Sequence, residues 1–93
     1  MSKQFTPVID RPGFTGGTQQ VYRFPNGQGA SVIRTPFSYG GDKGLFELAV
    51  LRFGRGDDNE DFGLDYSTPI TDDVLGNLTE EQVQETLAKI EAL

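Results

Sequence analysis

Gln20-Val-Tyr-Arg-Phe-Pro-Asn-Gly-Gln-Gly-Ala-Ser-Val-Ile-Arg34 decides the fold: two short runs rich in Val, Ile, Tyr and Phe flank a turn that contains Asn26-Gly27. Such runs around residues that tolerate a positive φ predict a β-hairpin. Because side chains alternate along a strand, Val21 and Arg23 share one face of the first arm, and Tyr22 and Phe24 share the other. On the second arm Val32 goes with Arg34, and Ile33 with Ser31.

Working outward, Leu45-Phe-Glu-Leu-Ala-Val-Leu-Arg-Phe53 is the strongest apolar run in the chain. Both of its alternating faces are mostly apolar, and Gly44 and Gly54 bracket it, which predicts a central strand. Residues 64–68 read as a fourth, short edge strand ended by Pro69. Thr71-Asp-Asp-Val-Leu-Gly76 reads as a single helical turn, with a Thr cap, acids in its first turn and Gly at its end.

The last element is a helix begun by Thr79, with Gln82 three residues on to complete a capping box. Val83, Leu87 and Ile90 recur on one stripe, while Glu80 and Glu81 lie where the helix dipole favours negative charge. A small sheet needs a cover. The expected fold is therefore α+β: an antiparallel three- or four-stranded sheet covered on one face by the C-terminal helix. Residues 1–18, broken by Pro7, Pro12, Gly13, Gly16 and Gly17, are expected to form an irregular arm, with residues 19–93 as a single domain.

The 93 residues include no Cys and no His. Thiolate chemistry, Cys-ligated metals, the usual general base and the commonest zinc ligand are excluded together. An enzyme is not expected, nor is a cofactor or a metal. No apolar run approaches the length that spans a bilayer, and the first residues carry no secretory h-region, so a cytoplasmic protein is expected.

Charge is sorted along the chain. Residues 1–56 carry seven basic residues and three acidic ones, whereas residues 57–93 carry eleven acidic residues and one base, Lys89. Asymmetry of this kind speaks about partners rather than fold. The carboxylates of Asp57, Asp58, Glu60, Asp61, Asp72, Asp73, Glu80 and Glu81 are the first candidate site: an acidic surface for a basic protein groove, which at suitable spacing could mimic nucleic-acid phosphates. The plain account is solubility and helix-dipole complementarity. The glycine-rich loop carrying Phe37, Tyr39, Gly40, Gly41 and Lys43 is a second candidate, for binding. Tyr22, Arg23, Arg34 and Arg52 are a third, as cations and an aromatic on a sheet that could hold a nucleic acid.

Three motifs are set aside. Asp57, Asn59 and Asp61 fit the start of an EF-hand loop, but Phe62 stands where Gly is required and Thr68 where a bidentate Glu is required. Gly27-Gln-Gly29 lacks the third glycine of a dinucleotide fingerprint and joins two strands. Arg55-Gly56-Asp57 matches an adhesion tripeptide that is too short to argue from.

Three longer strings carry a resemblance: Phe24-Pro-Asn-Gly-Gln-Gly-Ala-Ser-Val-Ile33; Ser38-Tyr-Gly-Gly with Gly44-Leu-Phe-Glu-Leu-Ala-Val-Leu51; and Thr68-Pro-Ile-Thr-Asp-Asp-Val-Leu-Gly76 followed by Leu78-Thr-Glu-Glu81. Over residues 22–93 the chain resembles a group of small accessory proteins encoded by tailed bacteriophages. The resemblance implies action inside a bacterial host cell and transfers no catalytic residue. The expected function is non-enzymatic binding of a host or viral protein through the acidic surface, as an inhibitor or nucleic-acid mimic. The alternatives are a nucleic-acid-binding sheet and a minor virion component. A homodimer through an exposed sheet edge is compatible with either.

Overall fold

A computed structural model describes residues 5–12, 17–34, 45–71 and 74–93. The hairpin is present as β2 (Thr18–Arg23) and β3 (Gln28–Arg34). Its turn closes with Gly27 N–H donating to the Phe24 carbonyl at 3.0 Å, and Gly27 takes φ +85°. The turn thus ends in a left-handed residue, which is why the glycine is needed there.

Antiparallel pairing continues outward in sequence order. β1 (Ile9–Pro12) pairs with β2, β3 pairs with β4 (Phe46–Phe53), and β4 pairs with β5 (Phe62–Leu64). The expectation that the apolar run is an interior strand holds: β4 has β3 on one side and two short strands on the other. The second of these is β6 (Leu75–Leu78), set against the N-terminal half of β4, while β5 covers the C-terminal half. β5 and β6 thus share one edge of β4, with the chain leaving that edge between them.

The sheet has six strands, more than the three or four expected. Three readings are corrected. Residues 9–12, within the arm expected to be irregular, form β1; its side chains are mostly exposed, so backbone pairing with β2 holds a strand that apolar alternation does not mark. Leu75 and Gly76, assigned to a helical turn, belong to β6. There Asn77 takes φ +56°, and the pairing with Phe46 and Leu48 is offset by an extra residue, as in a β-bulge. Asp72 and Asp73, the middle of that expected turn, lie outside the described residues. The fourth strand is found at 62–64 rather than 64–68.

Helix α1 (Glu80–Glu91) carries the expected capping box: Thr79 accepts from the Gln82 N–H, and the Gln82 side chain accepts from the Thr79 N–H. Its Val83, Leu87 and Ile90 pack on Tyr22, Phe24, Ala30, Val32, Leu48 and Val50, so the helix covers one face as expected. Phe5 joins that layer, its ring edge-on to Phe24 at 5.3 Å.

The other face has a smaller cluster of Val21, Leu51 and Phe53, flanked by Ile9 and Phe62. Phe53 lies across Gly29: a Cβ there would collide with the Tyr22 carbonyl oxygen and come within 2.6 Å of the ring. Glycine at 29 is a condition of that packing.

Candidate functional site

The acidic candidates separate along β4. Asp57, Asp58, Glu60 and Asp61 follow its C-terminal end at Phe53, whereas Glu80 and Glu81 follow Leu78, which pairs with its N-terminal end at Phe46. Eight strand residues put those ends roughly 23 Å apart. The two groups also take opposite faces, because the helix covers the Tyr22 side of the sheet and the loop is gripped from the Arg23 side.

That grip comes from the basic half of the chain. The Arg23 guanidinium donates to the Gly56 carbonyl at 2.6 Å, to the Gly54 carbonyl at 3.2 Å and to Asn59 Oδ1 at 3.3 Å. It also lies over the Phe53 ring, 4.9 Å from its centre. One planar fork with several donors holds a loop that has no regular structure of its own. Arg11 in β1 is hydrogen-bonded to Gln19 and ion-paired with Glu60. Within the loop Asp58 accepts from the Glu60 N–H at 2.9 Å. The loop's acidity is therefore offset locally by two arginines that are distant in sequence, and linear segregation of sign does not survive here.

On α1 it does survive. Glu80, Glu81 and Glu85 are exposed, and among the described residues none of the three is in an ion pair. Glu81 and Glu85 stand at i, i+4, a like-charge spacing that costs an isolated helix about 0.2–0.5 kcal/mol. Dipole complementarity accounts for the acids of the first turn and not for Glu85.

The residues of the third candidate do not assemble. Tyr22 is 4% exposed under the helix and offers no ring for stacking. Burial raises its phenol pKa above 10, and Asp10 and Glu80 add to the effect. Arg23 faces the opposite side, engaged with the loop. Arg34 lies over Phe46, 5.9 Å from the ring centre, at one end of the sheet. Arg52 is near the other end, with Nε 3.5 Å from Asp65. The loop candidates Phe37, Tyr39, Gly40, Gly41 and Lys43 lie outside the described residues.

Asp65, read from the sequence as one more of the acids that could form a negative surface, is instead nearly buried where the chain leaves the β4 edge. Its Oδ1 accepts from Ser67 Oγ at 2.5 Å and from the Ser67 N–H at 3.0 Å, and its Oδ2 accepts from Gln28 Nε2 at 3.2 Å. Those bonds, led by the Ser67 hydroxyl, hold its carboxyl down at about pKa 2, with Arg52 contributing and burial opposing. Asp-x-Ser was the available signal, a side chain bonding the backbone two residues on. The network anchors the departing chain; every partner is accounted for within it.

Among the described residues no group of three or more Asp or Glu side chains could hold a metal ion, and no helix is long and apolar enough to cross a membrane. No family model, curated protein or solved structure matches the chain.

Proposed function

We propose that this domain is a non-enzymatic accessory protein, of the tailed-phage kind its sequence resembles, that docks a host or viral protein carrying a basic surface. The exposed, unpaired run of Glu80, Glu81 and Glu85 on α1 supports this reading most directly. Those carboxylates ride on a helix fixed by a complete capping box and three buried side chains, so they present negative charge without a backbone ordering cost at the moment of binding. Asp57, Asp58 and Asp61 extend the acidic character at the far end of the sheet, reduced there by Arg11 and Arg23. With the acids divided between two ends, docking by the helix face fits a basic groove better than imitation of a continuous phosphate backbone does.

The test is charge reversal at Glu81 and Glu85 together, both to Lys. Neither side chain is buried, so folding should be retained, which circular dichroism checks. Capture of the partner from host lysate should weaken as salt rises, in keeping with steering between opposite charges, and should fail for the double variant. Equal recovery by the variant and the parent at low salt would overturn the reading.

A further inference from the structure

A cavity of about 190 Å³ opens between the N-terminal segment, the sheet and the first turn of α1. It exceeds the roughly 150 Å³ that admits benzene in an engineered protein core. Tyr22, Val32 and Val83 are buried residues of its lining, Phe5 and Phe46 are aromatic walls, and the exposed Glu80 stands at its open side with Gln84. Apolar side chains and the polar groups of Gln20, Gln84 and Glu80 share its lining, so a chain with a hydrocarbon stem and a polar end fits it.

The polar groups decide what that chain must carry. The Tyr22 hydroxyl donates to Gln20 Oε1 at 3.3 Å, and a phenol oxygen engaged as a donor keeps its acceptor lone pairs. Gln84 Oε1 accepts from the Phe5 N–H at 3.4 Å, so the amide ties the N-terminal segment to the helix beside the opening. Burial is the main cause that raises the Tyr22 phenol pKa, and the negative charges of Asp10 and Glu80 add to it, so both carboxylates act on this ring. Glu80 and Glu81 offset the positive end of the helix dipole, about half a charge, that would otherwise favour an anion. A protonated primary amine at the end of a short hydrocarbon satisfies the set, and a lysine side chain has that form.

We propose that this cavity receives a lysine side chain carried by the basic partner, with Glu80 pairing its ammonium group. The proposal rests on the docking function argued above and supplies it with an anchor at the N-terminal end of the same helix.

The probe is Nα-acetyl-lysine methylamide, followed by amide chemical shifts of the full chain. Nα-acetyl-norleucine methylamide, which keeps the four-carbon stem and lacks the ammonium, is the control. Saturating shifts at Phe5, Gln20 and Gln84 are expected, with a dissociation constant on the order of 1 mM. Affinity should drop about tenfold for the norleucine probe and for the E80Q variant. Equal binding of the two probes, or no saturating shift at those residues, overturns the site. A second arm separates a lysine of the partner from a free amine: capture of the partner by E80Q should fall in parallel with loss of the probe. Undiminished capture by E80Q rejects the partner's lysine as occupant. Loss of capture in the Glu81 and Glu85 reversal with probe binding intact leaves the cavity standing, so failure of the docking surface and failure of the cavity are read separately.

Discussion

The side-chain amide of Asn26 donates to the carbonyl oxygen of Ile90 at 2.9 Å, joining the β2–β3 turn to the last turn of α1 across 64 positions of sequence. The same nitrogen lies 3.1 Å from the Glu91 carbonyl and 3.3 Å from that of Leu93, while Asn26 Oδ1 accepts from the Gln28 N–H at 3.0 Å. A helix end leaves carbonyls without partners inside the helix. Here a turn residue from the sheet supplies the donor, so the residue that shapes the hairpin also fixes the far end of the helix.

Asn26→Ala should therefore destabilise the fold by about 1–2 kcal/mol, because several carbonyls and the Gln28 N–H lose a partner at once. Asn26→Asp keeps the acceptor toward Gln28 and replaces the donor with a negative charge at the negative end of the helix dipole. It should cost more than the alanine variant at pH 7 and recover on acidification. Urea unfolding of the three proteins measures the difference. Equal midpoints for all three would show that the clamp contributes nothing.

Asp65 sets the response to acid. Its carboxyl is held at about 2 against the ordinary 3.8, so the folded state favours the ionised form. That contribution, of order 2 kcal/mol, is whole above about pH 4 and drains away as pH falls toward 2. Asp65→Asn should lower stability at pH 7 and flatten the pH dependence between 4 and 2. Ser67→Ala should shift the carboxyl upward, since the Ser67 hydroxyl is the leading cause of the depression. Unfolding free energies at pH 7, 4 and 2 check both variants, and a slope below pH 4 unchanged by Asp65→Asn would contradict the assignment.

The parts of this fold that were legible in sequence are those whose causes are local. Thr79 and Gln82 announce the helix within four residues, Val83, Leu87 and Ile90 announce its buried stripe, and Asn26-Gly27 announces the hairpin. β1 and β6 carry no such mark. Ile9–Pro12 is polar and ends in proline, and Leu75–Leu78 contains the Gly76-Asn77 pair of a bulge; both are strands because a neighbour's backbone is there to pair with. The site divides in the same way. Composition reveals the acids of residues 57–93, but the pairing of Glu60 depends on Arg11 in β1, and the hold on the 54–61 loop depends on Arg23 in β2. The cavity is more remote still, since its lining comes from the N-terminal segment, three strands and the helix, and no short window contains it.

Arg23 makes the last of these dependences measurable. Its bonds to Gly54, Gly56 and Asn59 bind the 54–61 loop to β2, while the Gly54 N–H to Asp61 carbonyl bond, at 2.9 Å, closes the loop on itself. A lysine keeps the charge but offers a single ammonium in place of a planar fork, so it cannot reach several carbonyls and stack on Phe53 together. Arg23→Lys and Arg23→Ala should both raise amide exchange at Gly54 and Asp61 by about tenfold or more, with lysine recovering less than half of the protection. Global stability should fall further in the alanine variant, because Phe53 also loses its cover. If exchange in the loop stays at the parent rate in both variants, the loop holds itself, and Arg23 does not order its carboxylates.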